Sequence, residues 1–419
     1  MTTENAFPDV AGARQKTAHP IVFLFLTLPL GISSGYFGLT LIYLFSNAGI
    51  SVEQMAKLEA ISSIPLIVSF LWAPIIDSTW SLKKWYVTST LTTSVCMLLA
   101  AFIPVKTSNF ILMACLSTLC CFVITFFSGA TSGLSAHDTA ADAKGRTGGY
   151  KQAGNLGGAS LGGGAGIWMA EHLHHTWIPG VVLALICALC CLALFFVKEP
   201  QTTFRAKNLG KTLSNALQDV WVTIKARLGL LALVLCVLPM GTCAVAELFA
   251  PIAKEWKAGA DMVALTTGVT GGVLAIAGCL IGGWICDHMH RQKAFIWFGL
   301  LQAATAVGMA LCPHTPLMYA GWTLLYSFIG GLCFAAFNAF ILEAAGTGAA
   351  VSKLELYGAV SMIPIVVLKW IEGKAHTRWG SSGMLLMEAG CAIASTVLFI
   401  SISALIKTRS SRMETVPLA

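Results

Sequence analysis

The sequence predicts an all-helical polytopic membrane protein of about twelve spans, arranged as two pseudo-symmetric six-helix bundles. Three observations support this fold class: the composition, the spacing of the apolar runs, and a repeat between the first and second parts of the chain. Of the 419 residues, 56% are hydrophobic and only 11% are charged, whereas a soluble domain carries about 25% charged residues. The mean hydropathy is +0.77. A water-soluble fold of this length could not cover its surface with so few charges.

Twelve apolar runs divide the chain. Each has about 20 residues or more, which at about 1.5 Å per residue is enough to cross a hydrocarbon layer of about 30 Å. We number them spans 1 to 12, at 20–46, 56–77, 85–105, 109–136, 149–170, 177–197, 228–252, 262–286, 293–312, 316–344, 354–373 and 382–406. The polar stretch 198–227 separates six spans from six. The sequence therefore predicts a first half at 20–197, a central loop at 198–227 and a second half at 228–406, with tails at 1–19 and 407–419.

A repeat at long range relates the two halves. Residues 28–31 read Leu-Pro-Leu-Gly in span 1, and residues 238–241 read Leu-Pro-Met-Gly in span 7, 210 residues later. Asp77 and Asp287 follow spans 2 and 8 at the same offset. Tyr150 matches Tyr357 at an offset of 207. Internal repeats of this kind are typical of secondary transporters, which place a substrate path between the two halves.

The charges indicate the orientation of the spans. With twelve spans both termini lie on one side, and nineteen of the 26 Lys and Arg residues fall on that side. The positive-inside rule then places both termini in the cytoplasm. The net charge of +7 is explained by this topology signal, so we expect no nucleic-acid partner. Residues 1–19 are polar and do not resemble a secretory signal.

Two carboxylates stand at matching junctions between spans. Asp77 is followed by Lys83 and Lys84, and Asp287 is followed by Arg291. A carboxylate at a helix end can pair with such bases or with the N-terminus of a neighbouring helix. We interpret these residues as conformational locks that form in one state and break in another. The alternative is a static surface ion pair worth under about 1 kcal/mol.

The junction sequences resemble those of a known transporter family. Residues 71–77 (Leu-Trp-Ala-Pro-Ile-Ile-Asp) and 282–291 (Gly-Gly-Trp-Ile-Cys-Asp-His-Met-His-Arg) resemble the Gly/Asp/Arg signature of the major facilitator superfamily. Residues 51–54 (Ser-Val-Glu-Gln), followed by 70–77, look like the peptide/acetyl-coenzyme A transporter branch. That branch holds AmpG-type muropeptide permeases and related siderophore importers. The resemblance implies a monomeric carrier of the bacterial inner membrane that takes up a small polar metabolite by alternating access.

Span 5 carries a face of glycines. Gly154, Gly158, Gly162 and Gly166 recur every four residues and therefore line one side of a helix. Small residues let two helix backbones approach closely within a bilayer. This face is either a tight static contact or a smooth surface along which span 5 moves during gating.

Intramembrane polar residues are candidates for a central cavity, because ionisable groups are costly at membrane depth. Glu247 lies deep in span 7, and the 210-residue offset places it opposite Phe37, beside Tyr36 in span 1. A carboxyl removed from water holds a proton readily, which suits a proton-coupled carrier. The alternative is a Glu near the outer water boundary. Further cavity candidates are Lys151, Asn155, Asn338 and Glu343, whereas Lys369 and Glu372 are expected to form an interfacial pair.

The motifs favour a carrier over an enzyme or a sensor. The sequence has no H-E-x-x-H, no G-x-S-x-G and no Gly-rich phosphate loop ending in G-K-[ST]. We therefore expect no catalytic residues, no cofactor and no metal, and a proton or electrical gradient as the energy source. Proton-coupled uptake is the favoured function, with export of a small toxic compound by proton antiport as the alternative and a membrane sensor as a third hypothesis.

Overall fold

The fold is described by a computed structural model that covers residues 17–50, 52–173, 175–199, 209–346 and 349–414. Within these ranges every regular element is a helix, and none is a strand. The helices confirm the predicted all-helical membrane fold. Ser51, which belongs to the branch motif, lies outside the described residues.

The first half contains the helices of spans 1 to 6. Several spans are divided by short π or 3-10 segments. In order they are Val22–Gly35, Tyr36–Thr40 and Leu41–Asn47 for span 1; Val52–Ile67, Ser69–Leu71 and Ala73–Ser78 for span 2; Leu82–Phe102 for span 3; Phe110–His137 for span 4; Lys144–Ser160, Leu161–Ala165 and Gly166–His172 for span 5; and Ile178–Leu189 and Cys190–Phe196 for span 6.

The second half contains the helices of spans 7 to 12, preceded by a central-loop helix, Leu209–Lys225. They are Arg227–Val237, Ala244–Leu248 and Phe249–Ile252 for span 7; Ala260–Val263, Ala264–Val269 and Thr270–His288 for span 8; Arg291–Leu311 for span 9; and Pro316–Ala345 for span 10. Spans 11 and 12 form one helical stretch, Ala350–Glu414, which is interrupted at Gly380. Gly380 has a φ of 67°, a conformation that glycine adopts without strain, and the chain turns there.

Length and apolarity alone select fewer helices than the twelve predicted spans. Within the described ranges, eight helices are long and apolar enough to cross a membrane, or up to nine if one bent pair counts as a span. One of the eight, Ala350–Ala404, has 55 residues and contains both span 11 and span 12. Spans 2 and 7 are divided by breaks, so their pieces fall short of the length of a single crossing helix. Span 5 is long enough across its π segment, but its many glycines make it less apolar.

Span 7 is broken where its repeat partner in span 1 is helical. The helix that begins at Arg227 ends at Val237, because Leu238 precedes a proline and is extended, with φ −84° and ψ 132°. Gly241 and Cys243 follow with φ values of 67° and 56°, so the backbone stays irregular up to Ala244. In span 1 the matching Gly31 lies within a continuous helix. Its missing side chain lets the carbonyl oxygen of Asn155 in span 5 approach the backbone. Broken backbone at membrane depth is tolerated where it lines a cavity. The break in span 7 therefore marks the place where a cavity wall is expected.

The glycine face of span 5 packs against span 1. A Cβ added at Gly154, Gly158 or Gly162 would overlap a backbone carbonyl oxygen of span 1, and one added at Gly166 would overlap the hydroxyl of Thr40. Both helices belong to the first half, so this face holds that half together. The close approach between the halves lies earlier in span 5.

That approach between the halves is made at Gly145 and Gly149. A Cβ added at Gly145 would overlap the carbonyl oxygen of Gly283, and one added at Gly149 would overlap that of Cys279, both in span 8. The tight contact of span 5 with the other half is therefore made at these two glycines, whereas the four glycines noted in the sequence contact span 1.

Candidate functional site

Asp77 joins the end of span 2 to the start of span 11. Its carboxylate accepts hydrogen bonds from the backbone N–H of Val351 at 3.3 Å and of Ser352 at 2.9 Å, and from the Ser352 hydroxyl at 2.6 Å. A negative charge at a helix N-terminus is favourable, because the first N–H groups of a helix have no partner within it. The contact links the first half to the second.

Asp287 makes the matching contact in the opposite sense. From the end of span 8 it accepts the N–H of Gly145 at 2.6 Å, the N–H of Arg146 at 3.1 Å and the Arg146 Nε–H at 2.7 Å. Its side chain is only 2% exposed. Span 5 thus starts on a carboxylate of the second half, just as span 11 starts on a carboxylate of the first.

We call these two contacts the terminal gate, because both lie at the face where span 1 begins and span 12 ends. The bases that the sequence suggested for the gate have other partners. Arg291 donates to the carbonyl oxygen of Ala141 at 2.6 Å and pairs with Glu343 at 3.0 Å. Lys83 and Lys84 lie in the first turn of span 3, where their backbone N–H groups bond to Glu199 and Ser81. The gate is thus made by helix N-termini and Arg146.

The central-loop helix reinforces one side of the gate. Asp219 accepts the N–H of Ala349 at 2.7 Å and pairs with the Lys353 ammonium at 2.7 Å. Burial raises the pKa of the Asp219 carboxyl, but these two partners outweigh it and hold that pKa below its ordinary value. Span 11 is therefore held by two carboxylates, Asp77 at the end of span 2 and Asp219 in the central-loop helix.

A cavity of about 320 Å³ lies between the two halves. Spans 1, 4 and 5 form one wall, and spans 7, 9, 10 and 11 form the other. The break in span 7 places Met240, Gly241 and Thr242 in that second wall. Most of the lining is apolar, with phenylalanines from spans 4, 9 and 10, and a few polar groups converge on it. Such a surface is typical of small-molecule sites.

Lys151 and Glu355 are the charged groups among the described residues of the cavity wall. Glu355, from span 11, accepts hydrogen bonds from the Ser69 hydroxyl at 2.7 Å and the Ser128 hydroxyl at 3.3 Å. Lys151, from span 5, donates to the hydroxyls of Ser132 at 3.4 Å and Ser135 at 3.3 Å. Because Ser128 and Ser132 are one helical turn apart, a cation and an anion lie along adjacent turns of span 4.

The other cavity candidates from the sequence are divided by the structure. Asn155 and Asn338 line the cavity together with Lys151. Tyr36 is buried away from it, with its hydroxyl beside Gly180 of span 6. Glu343 lies near the terminal face in its pair with Arg291. The backbone of Glu247 belongs to the segment Ala244–Leu248, and its side chain lies outside the part of the chain that the structure describes.

Glu355 was missed in the sequence because span 11 begins earlier than its hydropathy suggests. The apolar run starts at 354, so Glu355 read as part of a boundary, but the helix already begins at Ala350. The match of Tyr150 with Tyr357 could have pointed to it. The same offset of 207 makes Glu355 of span 11 the repeat equivalent of Gly148 of span 5. Among the described residues, no group of three or more His, Cys, Asp or Glu side chains is placed to hold a metal ion.

The chain is similar to known proteins both in sequence and in fold. The Major Facilitator Superfamily profile matches residues 23–367. No curated protein matches the chain significantly. Solved structures of the same fold include a variant of the E. coli fucose:proton symporter FucP, with 13% identity, a TM-score of 0.65 and coverage of 92% of this chain and 98% of that one.

Two further structures are similar over the same extent. FucP in the outward conformation has a TM-score of 0.69 at 13% identity, covering 92% of this chain and 98% of that one. The human organic anion transporter MFSD10 (TETRAN) has a TM-score of 0.65 at 13% identity, covering 90% and 98%. Such identities show the fold alone, whereas the family profile spans most of the sequence. The chain therefore belongs to the Major Facilitator Superfamily.

Proposed function

We propose that this protein is a secondary active transporter that carries a small polar metabolite by alternating access, with the cavity as its substrate site. The observation that carries the proposal is the position of Glu355. This carboxyl belongs to the second half, but its hydrogen bonds go to Ser69 and Ser128 of the first. A ligand or proton that changes the charge of Glu355 must change a contact between the halves. Binding and rocking of the halves are coupled in this way.

The closed terminal gate corresponds to one state of the alternating-access cycle, in which the cavity is shut off from the face that carries the termini. If the termini are cytoplasmic, as the distribution of Lys and Arg predicts, the gate closes the cytoplasmic side. A compact substrate would then reach the cavity from outside. The similarity to FucP in its outward conformation is consistent with this state. Importers and exporters both pass through such a state, so our preference for uptake over export rests on the branch resemblance of the sequence.

The cavity also limits the substrate class. Its volume of about 320 Å³ is at the low end of ligand pockets, which run from about 300 to 1,000 Å³. This size suits a compact metabolite better than an intact acyl-coenzyme A or a muropeptide. Lys151 would bind an acidic group or an array of hydroxyls, Glu355 would bind a donor, and the phenylalanines would contact the carbon skeleton.

A proton is the coupling ion that the cavity supports best. A carboxyl in a mostly apolar cavity is costly as an anion unless it is paired or protonated. Glu355 therefore joins Glu247, the acid expected from the sequence, as the candidate for the coupling role. The transport site we propose is thus Lys151, Glu355, Asn155 and Asn338, with Glu247 as the alternative proton carrier.

The test is transport by the purified protein in proteoliposomes. A panel of hexoses, small organic anions and zwitterionic metabolites is screened for uptake driven by an alkaline interior. With the compound that is transported, Glu355→Gln should lose accumulation while keeping exchange, because Gln preserves shape but cannot titrate. The matched control is Glu171→Gln, an exposed acid bonded to Tyr43 at 2.6 Å, which should behave as wild type. Wild-type accumulation by Glu355→Gln with loss in Glu247→Gln would move coupling to span 7, and outward pumping would favour export.

A further inference from the structure

Two buried carboxyls lie side by side in the second half, outside the cavity. Glu372 of span 11 is 0% exposed and Glu388 of span 12 is 2% exposed, and their carboxyl groups are within hydrogen-bonding reach of each other. They flank the turn at Gly380, at the end of the bundle far from the terminal gate. Glu372 was expected as an interfacial partner of Lys369. Lys369 does act on it electrostatically, but Glu372 faces the interior of the bundle.

A chain of hydrogen bonds ends on this pair. Cys333 donates to Gln302 Oε1 at 3.5 Å, Gln302 Nε2 donates to the Tyr326 hydroxyl at 2.6 Å, and that hydroxyl donates to Glu388 Oε1 at 2.7 Å. Each donor points toward Glu388. Glu388 therefore has a donor on one oxygen, whereas Glu372 has none among the described residues, so a negative charge shared by the pair is better stabilised on Glu388.

Three oxygens of the pair have no hydrogen-bond partner among the described residues: Glu388 Oε2 and both carboxyl oxygens of Glu372. Ionised carboxylates only accept hydrogen bonds, so two of them side by side have no donor between them. One proton on Glu372 supplies that donor and satisfies Glu388 Oε2. Buried polar groups are rarely left without partners, and like charges so close cannot both be ionised.

The charges around the pair also favour one proton shared by the two carboxyl groups. Lys369 of span 11 is the cation in electrostatic contact with Glu372, and Cys391 of span 12 is the other titratable group beside it. From spans 7 and 10, Cys243 and Tyr326 face Glu388. One ammonium balances one carboxylate, so the cluster is neutral only when the second carboxyl keeps its proton. Neutrality is the favourable state at this depth.

The pair has a titratable neighbour at the surface. His376 lies four residues after Glu372, one turn along the same face of the helix. Its side chain is 37% exposed and pairs with Glu255 at 2.6 Å. Glu255 also accepts the N–H of Ser381 at 3.1 Å, next to the Gly380 turn. A partly exposed imidazole therefore lies one helical turn from Glu372, on the side of the Gly380 turn.

We propose that Glu372 and Glu388 form a proton-binding site that holds one proton between them and is loaded from the opposite face through His376. The proton passes from water to the imidazole and then to the Glu372 carboxyl, and Glu388 stays ionised as its acceptor. The site lies outside the cavity, so the proton that it holds is bound apart from the substrate and is distinct from one carried by Glu355. This inference rests on the proposed function only in making the proton the driving ion.

Infrared spectroscopy of the purified full-length protein in lipid nanodiscs tests the shared proton without any substrate. At neutral pH the C=O stretch of protonated carboxyls should lose one carboxyl equivalent in Glu372→Gln. In Glu388→Gln the band should persist but shift, because its strong acceptor is gone. Glu171→Gln should match wild type. An unchanged band in Glu372→Gln, with the variant folded, overturns the proposal.

Exchange of that band in D2O tests the access route. His376→Asn should slow the exchange at least tenfold. Glu255→Ala removes the same surface contact but keeps the imidazole, and should not slow it. Equal slowing in both variants, or in neither, overturns loading through His376. Because neither measurement needs transport, a failed substrate screen would leave this inference standing, and a failed infrared test would leave the cavity proposal standing.

Discussion

Replacement of Asp287 by Asn should open the terminal gate. The carboxylate of Asp287 is nearly fully buried and accepts three hydrogen bonds from the start of span 5, two from backbone N–H groups and one from Arg146 Nε. Asn keeps the shape and one oxygen, but its NH2 group turns a donor toward donors. The variant therefore removes the negative charge at this helix N-terminus without creating a cavity.

The magnitude follows from the lost contacts. A hydrogen bond to a charged group contributes about 1.5 to 3 kcal/mol, and a carboxylate at a helix N-terminus adds about 0.3 to 2 kcal/mol. The loss of one such bond and of the charge at the helix end totals about 3 kcal/mol. Since about 1.4 kcal/mol is a factor of ten in population, the closed state should be disfavoured by about 100-fold.

Hydrogen–deuterium exchange of the full-length protein in nanodiscs reads this change directly. The amides of Gly145 and Arg146 donate to Asp287 and should exchange about 100-fold faster in Asp287→Asn. Asp77→Asn should act in the same way on the amides of Val351 and Ser352. In transport, Asp287→Asn should change the rate more than the substrate affinity, because the group does not touch the cavity.

A matched control exists within the first half. Glu199 accepts the N–H of Leu82 at 2.8 Å and of Lys83 at 3.0 Å, so it holds the start of span 3 by the same chemistry. Glu199→Gln should speed exchange there and leave the contacts between the halves protected. Two results would contradict a specific role of Asp287 in holding the gate closed. One is a change of less than threefold in exchange at Gly145 in Asp287→Asn, and the other is equal opening of the gate by Glu199→Gln.

Two further predictions concern packing and pH. Gly158→Ala should cost about 2 kcal/mol of stability, because the new Cβ overlaps the carbonyl oxygen of Leu28; Gly164→Ala, with no atom within 4 Å of the added Cβ, should be neutral in the same detergent unfolding assay. The pKa of Asp219 is lowered in the folded protein. Its pairing with Lys353 should therefore stabilise the docked central-loop helix fully at pH values above the ordinary pKa of 3.8. This stabilisation should be lost only as the pH falls through the lowered pKa. Asp219→Asn should release the helix at neutral pH, seen as faster exchange of the Ala349 amide, and an equally protected amide in the variant would contradict this.

The gate carboxylates show how far a sequence repeat can lead. Asp77 and Asp287 were recognisable because each ends a span at the same offset, and hydropathy locates the ends of spans. Their neighbouring bases were the natural candidates as partners, because sequence distance is all that a linear pattern offers. The structure instead gives them helix N-termini about 270 and 140 residues away in the chain.

The four-residue glycine spacing of span 5 also predicted a close helix contact without identifying the neighbour. Span 1 fills that place because its backbone carbonyls fit the face left open by Gly154, Gly158 and Gly162. Which glycines meet the other half depends on how span 5 is rotated about its axis. Span 5 carries glycines on more than one side, so their spacing alone does not fix this rotation.

The sequence by itself determined the membrane class, the all-helical fold and the superfamily, because hydropathy, charge and short motifs are local properties of the chain. The number of spans, the branch resemblance, the division into halves and the conformational role of Asp77 and Asp287 stay predictions. Only the tertiary structure decided that Glu355 lies in the cavity and that Glu372 adjoins Glu388. Each of these carboxyls sits near a predicted span end, where a Glu normally faces water. Packing against helices far along the chain removes it from water, and no property of its immediate sequence records that contact.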